Sequence, residues 1–266
     1  MQLAGDYYMD KTTFIPELKK TRFVFLIRPR RFGKSLLVST LQSYYDIKKK
    51  DRFAEFYHDT WILEHPTEER AKYMVLYFNF SDILKEKEKI QEDFNLYCNK
   101  VIDIFLQTYR EYLSYDLIQK MNKDSSAHEK LRTFVINLVE SEYKLNLFID
   151  EFDNFINTLL TDFGEHEYKR ITHKAGYFKQ FFTNLEFLTS GTGSGLARLF
   201  STGVSPVTMD EATSGFNIID NISNSSAFNA ILGFTEKDIN EILDYFISVG
   251  ELKIEKKSHG SHTGLL

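Results

Sequence analysis

The chain has 266 residues, 42% hydrophobic and 27% charged, so it is long and apolar enough to bury a core, which excludes a disordered protein. Its net charge of −5 excludes a polycation built to bind nucleic acid through phosphates. The single cysteine, Cys98, excludes a disulfide framework and a cysteine-rich zinc site. The N-terminal residues lack a signal-peptide pattern, and no apolar run approaches about 18 residues. We therefore expect a cytoplasmic globular protein that does not contact a membrane, and this chain gives no indication of nucleic-acid binding.

Short apolar runs rich in β-forming residues predict four strands, and a fifth strand is expected but not visible. The predicted strands are residues 23–27, 73–80, 145–149 and 199–202. Helical spacing of apolar residues predicts helices after Ser35 and over 90–108, 125–140, 154–160, 167–183 and 235–249. Alternation of strands and helices predicts an α/β fold with a mainly parallel sheet. We expect one domain over residues 1–250 and a disordered polar tail over 251–266.

The strongest motif, Arg28–Ser35, joins the first strand to the first helix and matches the second half of the P-loop pattern, G-K-[ST]. Gly33 lets successive backbone N–H groups face a phosphate, and the helix N-terminus adds a favourable partial charge. Lys34 would reach the β- and γ-phosphates, and the Ser35 hydroxyl would ligate Mg²⁺. Arg28 replaces the first glycine of the pattern, so the alternative of a helix start with a solvated lysine stays open.

A second motif, Asp150-Glu151, follows the buried strand over 145–149, as in the Walker B arrangement. The strand would carry both carboxylates to the sheet edge where ligands bind in α/β proteins. Asp150 would hold Mg²⁺, and Glu151 would orient and deprotonate the attacking water. At the end of the next strand, Thr202 stands where a polar residue contacts the γ-phosphate or the water in one division of P-loop ATPases.

Three further features give weaker signals, and the first two keep two interpretations each. Arg30 and Arg31 would clamp phosphate or act across a subunit boundary as arginine fingers, and the alternative is a solvated basic turn. Asp153 is either a carboxylate that supports the metal site or a helix cap. Gly191–Gly195 lacks the third glycine of a dinucleotide-binding motif, so we interpret it as a flexible surface loop.

Together these motifs resemble the AAA-ATPase-like family, whose ATPase domain is often joined to a PD-(D/E)XK nuclease-like domain. The resemblance rests on Tyr8–Thr12, Arg28–Ser35, Phe148–Asp153, Thr202–Pro206, Thr213–Asn217 and Gly233–Glu236. It implies a P-loop NTPase fold with helices on both faces of a parallel sheet, and we expect the strand order 5-1-4-3-2. The chain stops where relatives continue into the nuclease-like domain, so we expect no nuclease activity from it.

The predicted function is Mg²⁺-dependent hydrolysis of ATP to ADP and phosphate, with Lys34, Glu151 and Thr202 as catalytic residues. The predicted metal ligands are Ser35 and Asp150. The predicted ATP-binding residues are Arg30, Arg31, Phe32, Gly33, Lys34, Ser35 and Leu36. The alternatives are a nucleotide-binding switch or a nuclease-accessory module with little turnover. A homo-oligomer or a protein partner stays open.

Overall fold

The computed structural model describes residues 7–83, 88–123, 126–173, 176–189, 194–205 and 219–252. Its strands are β1 (Phe23–Ile27), β2 (Tyr73–Asn79), β3 (Lys144–Asp150), β4 (Leu196–Gly203) and β5 (Asp220–Asn221). Its α-helices are α1 (Ile15–Leu18), α2 (Lys34–Tyr45), α3 (Phe53–Phe56), α4 (Trp61–Glu64), α5 (Ile90–Thr108), α6 (Tyr115–Met121), α7 (Ala127–Asn137), α8 (Phe152–Thr158), α9 (Glu165–Thr172), α10 (Tyr177–Thr189) and α11 (Glu236–Ser248). The four predicted strands are therefore present, with boundaries that differ by up to three residues.

The five described strands form one sheet in the order β2-β3-β4-β1-β5. Every neighbouring pair is parallel. Read from the β5 edge, this order is 5-1-4-3-2, which is the order expected from the sequence. Because the strands are parallel, their carboxyl ends lie along one edge, and the residues directly after β1, β3 and β4 lie there.

Both faces of the sheet are covered, which explains why the strands read as continuous apolar runs. On one face, Val24, Phe148 and Phe200 pack with side chains of α2. On the other face, Phe25 and Leu147 pack with side chains of α5, α7, α8, α9 and α10. The sheet is therefore a buried layer between helices. Packing on this layer holds α2 in place, and α2 begins directly after the loop that follows β1.

The predicted helix over 167–183 is wrong, because the structure has two helices there, α9 and α10. The break lies at Gly176, whose backbone runs against the end of α9. A Cβ on Gly176 would lie 2.1 Å from the carbonyl oxygen of Ile171, so the close approach requires a glycine. The apolar spacing is helical on both sides of this glycine, which is why the pattern alone reads as one helix.

The glycine-rich stretch Gly191–Gly195 is only partly within the described residues, since 190–193 are outside them. Its last glycine is packed closely. A Cβ on Gly195 would lie 2.1 Å from the carbonyl oxygen of Val135 in α7. The interpretation as a flexible surface loop is therefore wrong for Gly195, which allows the chain to enter β4 close to α7.

The chain forms two compact units. Of the described residues, the larger unit takes those between 10 and 232 and contains the sheet. The smaller unit takes 7–9 and 233–252, and within it the ring of Tyr7 packs 4.8 Å from that of Tyr245 on α11. The predicted limits of one domain over 1–250 stay a prediction, and residues 253–266 of the predicted tail lie outside the described residues. Among the helices of the described residues, none has the length and apolar character that crossing a membrane requires.

Candidate functional site

Three predicted site segments come together at the carboxyl edge of the sheet. The loop 28–33 follows β1, Asp150 ends β3 with Glu151 directly after it, and Thr202 lies near the end of β4. The register confirms the alignment, because β4 pairs with both β1 and β3 at this edge. Motifs more than 100 residues apart in the chain therefore become neighbours through strand order alone.

The loop after β1 turns sharply before α2 begins. Arg31 and Gly33 both have positive φ, +67° and +87°, in the left-handed region that favours glycine. A Cβ on Gly33 would have room, since its nearest neighbour, in Leu232, would be 3.8 Å away. Glycine is therefore favoured there by backbone conformation, which directs the chain so that α2 starts at Lys34.

The Lys34 ammonium group is buried inside the loop, with 4% of the residue exposed. Its Nζ donates hydrogen bonds to the carbonyl oxygens of Arg28 (3.0 Å) and Pro29 (3.1 Å). It also lies 3.8 Å from Glu151 Oε1. A buried cation needs such acceptors, and the loop supplies carbonyl oxygens that a phosphate oxygen could replace.

The Asp150 carboxylate joins the motifs physically. Asp150 is 1% exposed, and its Oδ2 accepts a 2.7 Å hydrogen bond from Ser35 Oγ, a residue 115 positions away in the chain. Its Oδ1 accepts from the Glu151 N–H at 3.0 Å and from the buried Thr202 hydroxyl. Hydroxyl and carboxylate oxygens are hard donors of the type that Mg²⁺ prefers, so Ser35 and Asp150 fit a magnesium site.

Glu151 stands at the rim of this cluster in an unusual conformation. Its φ is +53°, and its side chain is 22% exposed. Burial raises the pKa of Glu151 above the usual range of a glutamate, Lys34 opposes the rise, and Asp150 adds to it. A non-glycine residue in the left-handed region carries a conformational cost of the kind that collects at functional sites.

The remaining predicted ATP-binding side chains face outward from the loop and the start of α2. Arg30 and Arg31 are exposed, while Phe32 and Leu36 are exposed apolar residues at 43% and 51%. None of them joins the Asp150 cluster. Their predicted roles in ATP binding stay predictions.

The sequence leaves the role of Asp153 open and does not indicate that Tyr77 lies near Asp150. Asp153 Oδ2 accepts hydrogen bonds from the N–H groups of Val204 (3.0 Å) and Ser205 (2.6 Å), so it ties α8 to the end of β4. Tyr77 lies near Asp150, and burial together with that carboxylate raises the pKa of its phenol. Alternation along β2 could have placed Tyr77 on the α2 face. The donors that join Asp153 to the end of β4 are backbone N–H groups, which no side-chain pattern reveals.

The chain is similar to known proteins over most of its length. Residues 1–213 match the AAA-ATPase-like family, described as predicted AAA-ATPases. A relative from Azotobacter chroococcum mcd 1, described as an uncharacterized protein in the vnfD 5′ region, is 25% identical over 240 residues. The aligned part is 89% of this chain and 41% of that relative, so the chain spans about two fifths of its length. With the match covering most of its residues, the chain belongs to the AAA-ATPase-like family.

Proposed function

We propose that this chain binds ATP with Mg²⁺ at the carboxyl edge of the sheet and hydrolyses it to ADP and phosphate. The observation that carries the proposal is the 2.7 Å hydrogen bond between Ser35 Oγ and Asp150 Oδ2. The two residue types that would share a magnesium ion in a P-loop NTPase are thus within one hydrogen bond of each other. Family membership independently supports nucleotide binding.

In this proposal the loop binds the phosphates. The α2 N-terminus and the loop N–H groups face an anion favourably, and Lys34 would exchange its carbonyl partners for phosphate oxygens. When bound, Mg²⁺ would neutralise phosphate charge and orient the γ-phosphoryl group. Thr202 keeps the Asp150 carboxylate in position through its hydroxyl. Arg30 and Arg31 would add positive charge, within one chain or across an assembly.

Hydrolysis further requires a group that orients and deprotonates water, and Glu151 is suited to that role. Its carboxylate is partly exposed beside Lys34, whereas Asp150 is fully enclosed by three hydrogen-bond donors. Its raised pKa makes it a better proton acceptor than an ordinary glutamate once ionised. The two adjacent carboxylates would therefore have different roles. Asp150 would hold the metal, and Glu151 would orient and deprotonate the water.

A nucleotide-binding switch is the second candidate, in the form of a domain that holds ATP and signals without turnover. The observation that favours it is the bonding of Lys34 to its own loop at Arg28 and Pro29. Binding of a phosphate would exchange these bonds, and such an exchange changes the conformation of a loop whether or not hydrolysis follows.

The test is steady-state ATP turnover by the wild type and by Glu151→Gln. We expect Glu151→Gln to retain ATP affinity and to lower kcat by about 10²-fold or more, because a general base contributes about 10²–10⁴-fold. The matched control is Glu142→Gln, which neutralises an exposed glutamate just before β3 and should leave kcat unchanged.

Three outcomes are informative. Turnover that falls in Glu151→Gln alone supports hydrolysis with Glu151 as the base. ATP binding by the wild type without turnover favours the switch. Equal turnover by wild type and Glu151→Gln excludes Glu151 as the base.

A further inference from the structure

Arg28 is the residue that departs from the P-loop pattern, and its side chain has definite partners. Its Nη1 donates to the carbonyl oxygen of Ser223 at 2.6 Å and to that of Ile27 at 3.0 Å. Its Nη2 lies 3.5 Å from the carbonyl oxygen of Phe228. A guanidinium group presents several donors in a fixed plane, so it can hold several carbonyl oxygens at once.

These partners belong to residues 222–228, which directly follow β5 and which we call the post-β5 segment. The segment is also attached at the end of β1, where the Ile27 N–H donates to Ser223 Oγ at 2.8 Å. Because β5 has only two residues, its ladder with β1 stops before Ile27. Side-chain hydrogen bonds therefore replace the pairing of β1 with β5 where the loop 28–33 begins, which we call the phosphate loop.

The backbone of Arg28 extends these connections in two directions. Its N–H donates to the carbonyl oxygen of Gly203 at the end of β4 (3.2 Å), and its own carbonyl oxygen accepts from Lys34 Nζ (3.0 Å). Arg28 thus bonds simultaneously to β4, to Lys34 and to the post-β5 segment. Movement of Lys34 toward a phosphate would therefore break a hydrogen bond to the carbonyl group of this residue.

We propose that Arg28 is a positioning residue that fastens the post-β5 segment to the phosphate loop, so that the segment changes conformation or mobility when a nucleotide binds. The second half of this inference rests on the proposed function, since it requires nucleotide at the loop. Arg28 is not assigned to the phosphates, because its guanidinium donors are directed at carbonyl oxygens of the chain. Arg30 and Arg31, which are exposed, are better placed for that contact.

The test is amide hydrogen exchange of the full chain, measured with and without Mg²⁺-ATP. The reporting amides are those of Ser225 and Phe228, which donate to the carbonyl oxygens of Ile222 and Ser225 within the post-β5 segment. In the absence of ATP, Arg28→Ala should speed their exchange about tenfold or more, as expected when charge-assisted hydrogen bonds are lost. Arg28→Lys, which keeps a cationic donor for the carbonyl oxygens, should restore part of the protection.

The matched control is Arg22→Ala at the opposite end of β1. Arg22 also donates to backbone carbonyl oxygens, those of Ala197 (3.1 Å) and Leu196 (3.4 Å), but it does not touch the loop. We expect Arg22→Ala to leave exchange in the post-β5 segment unchanged.

Adding ATP tests the coupling. ATP should change exchange in the post-β5 segment of the wild type and of Arg22→Ala, and this response should be lost in Arg28→Ala. Unchanged exchange in ATP-free Arg28→Ala would overturn the fastening role, and an ATP response that persists in Arg28→Ala would overturn the coupling. If the wild type binds no ATP, the proposed function fails, whereas the ATP-free comparison still decides the fastening role.

Discussion

The chemistry of this site is concentrated in one buried carboxylate. Removing Asp150 from water is costly unless donors satisfy its oxygens, and the structure provides them from Ser35, Glu151 and Thr202. Such a carboxylate is held rigidly, and it needs little rearrangement to hold a cation. Thr202 therefore acts on Asp150 in this structure, whereas the sequence assigned it to the γ-phosphate or the water, a role that stays a prediction.

Substituting Ser35 tests the metal assignment at this scale. Ser35→Ala should remove most of the increase in ATP affinity that Mg²⁺ provides, because the ion loses one oxygen ligand. We expect the effect to be about tenfold or more, comparable with the loss of groups that orient metal ligands. The measurement is ATP titration with Mg²⁺ and with EDTA.

Ser39→Ala is the matched control for this titration, because Ser39 is an exposed serine one turn further along α2. It should retain the full Mg²⁺ effect. An undiminished Mg²⁺ effect in Ser35→Ala would contradict the ligand assignment.

The sequence predicted part of this site and could not predict the rest. Ser35, Asp150 and Thr202 could be grouped, because residue type and strand ends place them at one edge. The partners of Arg28 and Asp153 could not be predicted, because both side chains bind backbone atoms of Ser223, Phe228, Val204 and Ser205. Every residue offers a carbonyl oxygen and every residue except proline offers an N–H, so neither composition nor spacing indicates where such a contact forms.

At the scale of elements, the site depends on how α8 is attached to β4. Asp153 reaches from the first turn of α8 to two successive N–H groups that follow β4. Gly203 permits this approach, because a Cβ there would lie 2.4 Å from the Phe152 ring and 2.7 Å from Asp153 Oδ1. The helix that begins after Glu151 and the strand that carries Thr202 are thereby held together.

Removing this attachment should destabilise the fold. Asp153→Ala leaves two half-buried N–H groups without this acceptor, and we expect the free energy of unfolding to fall by about 1–3 kcal/mol. Asp153→Asn keeps an oxygen acceptor, so its free energy of unfolding should fall by clearly less than that of Asp153→Ala. Urea denaturation measures both, and a loss below about 0.5 kcal/mol in Asp153→Ala, the range of ordinary surface substitutions, would contradict the attachment.

The elements differ in how far the sequence could predict them. β1 to β4 are visible because their apolar runs are buried on both faces. β5 is only Asp220–Asn221, two exposed polar residues, so no apolar run marks it. The separation of α9 from α10 was missed because it depends on the contact of Gly176 with the carbonyl group of Ile171, which periodicity does not reveal.

At the scale of the whole molecule, the order of the strands in the sheet determines which segments meet at the site. Placing β1 beside β4, and β4 beside β3, brings the loop, the Thr202 position and the two carboxylates to one edge. The family match spans these strands except β5 and ends at residue 213. Residues 206–218, which include Pro206 and the Thr213–Asn217 segment of the resemblance, lie outside the described residues.

The central claim is that this edge binds ATP through Lys34, and ATP titration by calorimetry in Mg²⁺ tests it most directly. The matched control is Lys20→Ala, because Lys20 is an exposed lysine between α1 and β1. The wild type and Lys20→Ala should bind ATP with equal affinity. Lys34→Ala should weaken binding about a hundredfold or more, as expected when a buried charged partner is removed. Circular dichroism and thermal unfolding would verify that Lys34→Ala is folded. Unchanged ATP affinity in a folded Lys34→Ala protein, or no ATP binding by the wild type, would contradict the account.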